Sequence, residues 1–344
     1  MNKSFFILCT LVTLALGVGF WLHQEPVDEP TNSELVFENF RDTLDTLKSI
    51  EITNSQGGLL NAESVDGVWL ASIQAGLPKY PVSKKHLSEL LQAITQVRYL
   101  EAKTRKPQKF SELGLQALYA EDSIATLITF STGKASQSIL VGKTAQSGQG
   151  SFIRKPSETQ SWLVDRNISV PVDKYSWLQQ PILPFQPEKI VSVSRLDQAP
   201  WTITRDVQSS SLTLDNMPLG SKLKYEAVLS SVTTALTDLK FERLLMKDYE
   251  LTRSLEILTV LELHLTDGMF FTLNLGKKGD DNIVYFSNFD GVPYWGAWAY
   301  QVSNFTAQQL IKSLSDFLED KSSNQSEVDT SVEQYSIDEG ESPQ

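Results

Sequence analysis

The feature that most constrains the fold of this chain is an order of landmarks that occurs twice. The paired landmarks are Trp69 and Trp201, Leu91 and Leu229, and Gly142 and Gly276. Their separations are 132, 138 and 134 residues, so the same order returns at nearly the same spacing. We therefore predict an internal duplication, with two similar domains joined in tandem.

The strands are predicted from alternation. Leu261, Leu263 and Leu265 are separated by polar residues, which is the period-2 pattern of a half-buried strand. Asp267-Gly268 follows and can supply the positive φ values of a two-residue hairpin turn. A second run of alternating apolar residues comes next, so this region is predicted to form an antiparallel hairpin.

Each half also contains one amphipathic helical pattern. Apolar residues recur there at spacings of three and four, and Ser83 and Ser221 stand where an N-cap is expected. Each half thus has strands, one main helix and further strands. This order is typical of an α+β fold with a mostly antiparallel sheet and the helix on one face. The repeats are predicted to span residues 46–180 and 185–318.

The amino-terminal region is predicted to be a membrane anchor. Phe5–Leu22 is apolar and uncharged, and at about 1.5 Å per residue a helix of this length reaches roughly 27 Å, close to the thickness of a bilayer core. Lys3 precedes it and Glu25 follows it, a charge asymmetry that places the amino terminus inside. Residues 1–4 would then be a cytoplasmic stub, and the bulk of the chain would lie in the periplasm of a single-pass inner-membrane protein.

Two other interpretations of this region are weaker. A cleavable signal peptide should have a shorter apolar core that ends in a small-x-small site, but the best candidate, Ala15-Leu16-Gly17, lies inside the run. A lipoprotein would need an apolar region before its cysteine, and Cys9 comes too early. Cys9 is the only cysteine, so no disulfide within the chain is expected.

The flanking segments are predicted to lack a fold. Residues 23–45 contain prolines and acids, and we interpret them as a linker. Residues 319–344 carry eight acids and one base, which is −7 of the formal net charge of −12, and they have few large apolar residues, as in a disordered tail. The acidic balance argues against nucleic acid as a partner.

No catalytic, metal or cofactor site is predicted. The three histidines, His23, His86 and His264, do not form a metal motif. Gly142-Lys143-Thr144 resembles the end of a phosphate loop, but the glycine that should stand five positions earlier is Gln137. The acids Asp280, Asp281 and Asp290 do not follow the spacing of a calcium loop.

The most unusual stretch is rich in aromatic residues. Its members are Tyr285, Phe286, Phe289, Tyr294, Trp295, Trp298 and Tyr300. Aromatic side chains can form a platform for sugars, peptides or another protein, or they can fill the core of the second repeat. The core interpretation is favoured. If there is a binding surface, the candidates are Tyr294, Trp295 and Trp298, and the two tryptophans are the best candidates for exposure.

The sequence also resembles a known family, the bacterial domain of unknown function 4340 family. The residues that carry the resemblance are Val68-Trp69-Leu70, Tyr80-Pro81-Val82, Leu90-Leu91, Phe110 to Leu115, Ile139 to Lys143, Phe152-Ile153-Arg154 and Trp162-Leu163-Val164. The resemblance implies an amino-terminal anchor and an accessory role beside gliding-type ABC transport components. The family has no established activity or catalytic residues, so the resemblance carries none over to this chain.

These observations lead to three hypotheses of function. The first is a non-catalytic accessory or scaffold protein of a transport complex in the cell envelope, with a membrane protein as its partner, such as an ABC-type transporter subunit. The second is an extracytoplasmic binding module for envelope polysaccharide or peptide. The third is a hydrolase whose site is assembled from residues far apart in sequence.

Overall fold

The computed structural model describes residues 34–197, 200–206, 208–289 and 292–319. The chain divides into two compact units, one ending at Gln179 and the other beginning at Gln180. Each unit has one antiparallel sheet and a few helices, which confirms the prediction of two sheet-rich repeats. The predicted stub, the anchor at residues 5–22 and residues 320–344 of the predicted tail lie outside the described residues. Within the described ranges, none of the helices has both the length and the apolar character to cross a membrane.

The first unit is built on nine strands. In chain order these are β1 Ser49–Asn54, β2 Gly57–Val65, β3 Val68–Ala71, β4 Tyr80–Pro81, β5 Tyr99–Ala102, β6 Thr126–Ser131, β7 Ser136–Thr144, β8 Ser151–Arg154 and β9 Ser161–Val164. Their order across the sheet is β4-β3-β2-β1-β6-β7-β8-β9-β5, and every pairing is antiparallel.

Helices are few in the first unit. They are α1 Phe40–Thr43, α2 Lys84–Gln96 and α3 Phe110–Leu113, with short 3-10 turns at Leu44–Thr46, Pro107–Lys109 and Lys174–Trp177. The main helix, α2, buries Leu87, Leu90 and Ile94, which lie at the spacings of three and four read from the sequence. The Ser83 hydroxyl accepts a hydrogen bond from the His86 backbone N–H, so the N-cap predicted there is confirmed.

The second unit has eight strands. They are β10 Ile190–Arg195, β11 Trp201–Arg205, β12 Leu212–Leu214, β13 Arg243–Met246, β14 Glu256–Leu265, β15 Phe270–Lys278, β16 Asp281–Ser287 and β17 Trp298–Val302. Their order is β12-β11-β10-β14-β15-β16-β17-β13, again antiparallel throughout. Leu261, Leu263 and Leu265 of β14 are buried, as their alternation predicts.

The helices of the second unit are shorter. They are α4 Ser230–Thr237, α5 Tyr249–Arg253, α6 Pro293–Ala297 and α7 Asn304–Leu310, with 3-10 turns at Pro187–Lys189, Glu226–Val228 and Leu314–Asp316. The prediction of Ser221 as an N-cap is wrong. Ser221 instead closes a turn by donating its backbone N–H to Pro218, and the helical region begins several residues later.

The two sheets share one topology. If the edge strand β4 is set aside, β1 to β3 correspond to β10 to β12, β5 corresponds to β13, and β6 to β9 correspond to β14 to β17. In the first unit the main helix α2 lies between β4 and β5 in the chain, and in the second unit α4 lies between β12 and β13. In both units the main helix is therefore followed by a strand at the edge of the sheet. The sheet order therefore supports the duplication independently of sequence spacing.

Both units begin with a lead-in segment that runs beside the chain just after the main helix. In the first unit, the Val36 N–H donates to Val97 (3.0 Å) and the Tyr99 N–H donates to Glu34 (3.1 Å). In the second unit, the Ile182 N–H donates to Leu239 (2.8 Å). Residues 34–36 and 180–182 are thus equivalent, as are residues 97–99 and 239–241.

This pairing corrects the predicted linker. Residues 34–45 belong to the first unit, because Val36, Phe37 and Phe40 are buried. The rings of Phe40 and Phe130 pack edge to face with centroids 4.9 Å apart. Residues 23–33 of the predicted linker lie outside the described residues, and the first repeat starts earlier than the predicted position 46.

The sequence landmarks differ in how well they mark the repeat. Gly142 in β7 and Gly276 in β15 are equivalent, and each lies against the backbone that follows a short helix. Trp69 lies in β3, whereas Trp201 lies in β11, which corresponds to β2. The pairing of these two tryptophans is therefore wrong, although their spacing fits.

Candidate ligand groove

A groove of about 670 Å³ lies in the first unit, and we call it the first-unit groove. Its walls come from four places in the sequence: the lead-in segment, the start of β5, the start of β7 and the residues after β8. The polar residues that line it include Glu34, Glu38, Tyr99, Gln137, Lys155 and Ser157. The volume is within the range of roughly 300–1,000 Å³ that ligand sites usually have.

The groove owes its position to the sheet edge. Strand β5 is the outermost strand, and the lead-in segment pairs with the chain at its start through the Tyr99 N–H. Strand β7 is separated from β5 by β8 and β9, and its residue Gln137 is paired with Phe130 of β6. Backbone hydrogen bonds therefore hold the chain on both sides of the groove.

Tyr99 and Lys155 form the charged centre of the groove. Lys155 Nζ lies 5.8 Å from the centroid of the Tyr99 ring and 3.4 Å from Glu158 Oε1. Burial raises the pKa of Tyr99 despite the nearby ammonium group. Burial alone would lower the pKa of Lys155, but Tyr99 and Glu158 outweigh it and raise that pKa. The groove therefore presents a neutral phenol and a cation at pH 7.

Two polar atoms near this centre are buried without a hydrogen-bond partner in the described part of the chain. They are Gln137 Oε1 and Trp162 Nε1. The Trp162 ring packs on Tyr99 with centroids 4.8 Å apart. A buried polar atom without a partner costs roughly 1–3 kcal/mol. Such atoms are uncommon in folded proteins, and here one of them belongs to a side chain that lines the groove.

The strand ladders identify the equivalent positions in the second unit. With Gly142 set against Gly276, Gln137 corresponds to Phe271, Lys155 to Phe286 and Trp162 to Tyr300. The lead-in pairing sets Tyr99 against Phe241. The Tyr99 and Trp162 pair recurs there as Phe241 and Tyr300, whose centroids are 5.6 Å apart.

In the second unit these positions surround an indole. Trp295 lies 4.9 Å from Phe271 and 4.5 Å from Phe286, measured between ring centroids. It is carried by α6 in the connection between β16 and β17, which spans residues 288–297. The corresponding connection of the first unit, residues 155–160, is shorter and contains no helix. The connection of the first unit thus carries no aromatic residue equivalent to Trp295.

This arrangement decides between the two interpretations of the aromatic stretch. Trp295 and Trp298 are each only 2% exposed, so both lie in the core, as the favoured interpretation has it, and neither is the exposed residue that the binding alternative requires. Tyr294 is half-buried, and burial raises the pKa of its phenol. The three residues do not form a shared open surface, because packing around Phe271 and Phe286 takes the indole of Trp295 inward.

The other motifs have structural roles. The His86 Nδ1 donates to the Ser176 carbonyl (2.6 Å), and His264 stacks on Phe270. Lys143 donates from Nζ to the carbonyls of Ser111 and Glu112, which ties β7 to α3. His23, Cys9 and Asp290 lie outside the described residues. Among the residues that are described, no group of three or more His, Cys, Asp or Glu side chains could hold a metal ion.

The groove residues Gln137 and Lys155 were not singled out from the sequence as ligand contacts. The signal that could have found them is a comparison of the two repeats position by position, in which two polar residues stand where the second copy has phenylalanine. That comparison requires the strand register, since sequence spacing alone set Trp69 against the wrong strand.

The family model for the domain of unknown function DUF4340 matches residues 75–254, which is more than half of the chain. No curated protein and no solved structure matches the chain.

Proposed function

The chain belongs to the DUF4340 family, and from that premise we propose that it is a membrane-anchored, non-catalytic accessory protein of a transport complex in the cell envelope. The observation that carries the proposal is the first-unit groove. It is a recess with a cation, a phenol and two exposed acids at the edge of the sheet. Such a site suits the holding of a partner.

The anchor supports the same proposal from the sequence. Phe5–Leu22 would keep the protein in the inner membrane with both units on the periplasmic side. The groove is lined by Glu34, which is only twelve residues after the end of that run. A partner in the same membrane would therefore be within reach of the groove.

The kind of partner comes from the family resemblance. It implies a position beside gliding-type ABC transport components, so the proposed partner is a subunit of an ABC-type transporter. In this role the protein would orient or stabilise the transporter without chemistry of its own.

The test is co-purification of the full-length protein after extraction in mild detergent. We expect a transporter subunit to be recovered in stoichiometric amount and to survive mild cross-linking. A matched variant, in which the first 33 residues are replaced by a cleavable secretion signal, should lose most of the partner. Recovery of no membrane protein above the background of an unrelated single-pass protein would refute the proposal.

The two alternatives have less support. The binding module was based on Tyr294, Trp295 and Trp298, and the burial of both tryptophans removes that platform. Peptide binding would have to use the first-unit groove instead. The hydrolase hypothesis stays a prediction, and no specific contact in the described residues favours it.

A further inference from the structure

We propose that the first-unit groove receives a tryptophan side chain from a partner polypeptide, seated as Trp295 is seated in the second unit. The inference rests on the proposed accessory function and names the chemistry that the partner presents. It follows from three independent features of the groove: its shape, its unsatisfied acceptor and its charged rim.

The shape comes from the duplication. Both units have the same sheet order, and the second unit fills the equivalent position with Trp295 from its longer β16–β17 connection. The first unit has a shorter connection and a groove of about 670 Å³ there. A side chain supplied by another chain would complete the first unit in the way that α6 completes the second.

The unsatisfied acceptor selects an indole. Gln137 Oε1 has no hydrogen-bond partner among the described residues, and Gln137 stands where the second unit has Phe271. The terminal amide torsion of glutamine is soft, so this oxygen can turn toward a donor that enters the groove. An indole carries one N–H donor on an otherwise apolar ring. In the second unit the same donor, Trp295 Nε1, has no partner within the described residues, and the position of Gln137 is there taken by Phe271, whose side chain has no hydrogen-bond acceptor atom.

The charged rim favours a polypeptide partner over a free aromatic molecule. Lys155 Nζ lies 5.8 Å from the Tyr99 ring, and an ammonium group at such a distance can also attract a second aromatic face. Glu34 and Glu38 are exposed and also line the groove. They would pair with a lysine or arginine near the incoming tryptophan. The partner segment is therefore expected to combine one tryptophan with a basic residue.

The experiment uses the full-length protein in detergent and a synthetic peptide as the probe. The peptide is Val-Pro-Tyr-Trp-Gly-Ala-Lys, which copies residues 292–297 of this chain and ends in a basic residue, so that it carries a single tryptophan. Its matched control carries alanine at the position of Trp295. Binding is measured by titration calorimetry and located by amide chemical shifts. We expect the peptide to bind at the first-unit groove and the control peptide to bind at least tenfold more weakly.

Three protein variants test the location. Ser157→Trp adds an indole at an exposed position that lines the groove, and it should weaken peptide binding at least tenfold. Gln137→Leu removes the acceptor and should weaken binding about fivefold. Ser147→Trp adds the same side chain at an exposed turn outside the groove and should leave the affinity within about twofold of the natural protein.

The outcomes separate this inference from the proposed function. Absence of binding, equal binding of both peptides, or binding that Ser157→Trp does not weaken would each overturn the tryptophan site. If the transporter subunit still co-purifies with the Ser157→Trp variant in full amount, the accessory function stands and the groove is not its contact. If Ser157→Trp weakens peptide binding at least tenfold and Gln137→Leu about fivefold while Ser147→Trp leaves it within about twofold, the site is established whatever the partner.

Discussion

The indole of Trp295 stacks on the ring of Phe286, with the ring centroids 4.5 Å apart and an interplanar angle of 23°. The position equivalent to Phe286 in the first unit is Lys155, and the equivalent place for an indole is open. One fold thus occurs in a closed and an open version within a single chain. The second unit fills this place with its own indole, and the first unit leaves a groove there.

Trp295→Ala is expected to destabilise the second unit strongly. The side chain is 2% exposed and contacts Phe271 and Phe286, so truncation leaves a large cavity that costs about 3–5 kcal/mol. Urea unfolding followed by circular dichroism would measure the change. Phe305→Ala is the control, because Phe305 is 73% exposed, and it should change the free energy of unfolding by less than about 0.5 kcal/mol. Equal effects would contradict the core role of Trp295.

Gly142→Ala is expected to destabilise the first unit more than Gly276→Ala destabilises the second. A Cβ at Gly142 would overlap the carbonyl oxygen of Leu113, which belongs to the backbone and cannot move aside cheaply. At Gly276 the nearest atom is the Leu255 Cβ at 2.9 Å. Overpacking of this kind costs roughly 1–3 kcal/mol.

Gly58→Ala is the control for both glycines, since a Cβ there meets no atom within 4 Å and the position has no positive φ. Thermal unfolding of the three variants would rank them. A Gly142→Ala protein as stable as Gly58→Ala would show that α3 and β7 do not pack as described.

Asp197 is expected to make the second unit sensitive to acid. Burial alone would raise the pKa of this carboxyl, but the Val260 N–H (3.0 Å) and the Arg195 guanidinium (2.6 Å) outweigh burial and lower it. The folded pKa is thus below the unfolded value of about 3.9. The stabilisation is present above that value and is lost as the pH falls through the folded pKa.

Asp197→Asn should therefore lower stability at pH 7 and reduce the further loss of stability below about pH 4. Urea midpoints between pH 7 and pH 3 would measure both effects. Asp280→Asn, in an exposed turn, serves as the control and should keep the pH dependence of the natural protein. If the Asp197→Asn variant loses stability in acid as much as the natural protein does, Asp197 is not the source of the acid sensitivity.

Each unit is expected to fold when expressed alone. Residues 34–179 and residues 180–319 each contain a complete sheet, a main helix and a core of buried side chains. Their lengths are ordinary for independent domains. Dispersed amide spectra and cooperative unfolding would confirm this, while starting the first fragment at residue 46 should abolish it, because Val36, Phe37 and Phe40 would be missing. A fragment that is unfolded with the lead-in segment present would contradict the expectation.

Local patterns in the sequence predicted local structure well. The alternation at Leu261, Leu263 and Leu265 predicts β14 because neighbouring side chains on a strand point to opposite faces. The spacing of Leu87, Leu90 and Ile94 predicts α2 for the equivalent reason on a helix. These signals need no knowledge of the rest of the chain.

The failures concern contacts between residues far apart in sequence. The lead-in segment looks like a linker because its order depends on pairing with residues 97–99, which no local pattern reports. The aromatic stretch was compatible with a core or a surface, and only the packing of Trp295 between Phe271 and Phe286 settles it. The first-unit groove could not be predicted, since it arises from a side chain that the first repeat does not have.

The pairing of Glu34 with Tyr99 also determines how the first unit carries mechanical load. A pull on the chain ahead of Glu34 would be borne first by two backbone hydrogen bonds, from Tyr99 to Glu34 and from Val36 to Val97. If these bonds break, Phe37 is drawn out and one wall of the groove goes with it. A partner bound in the groove would therefore hold the lead-in segment in place and resist its separation from the sheet edge when the chain is pulled.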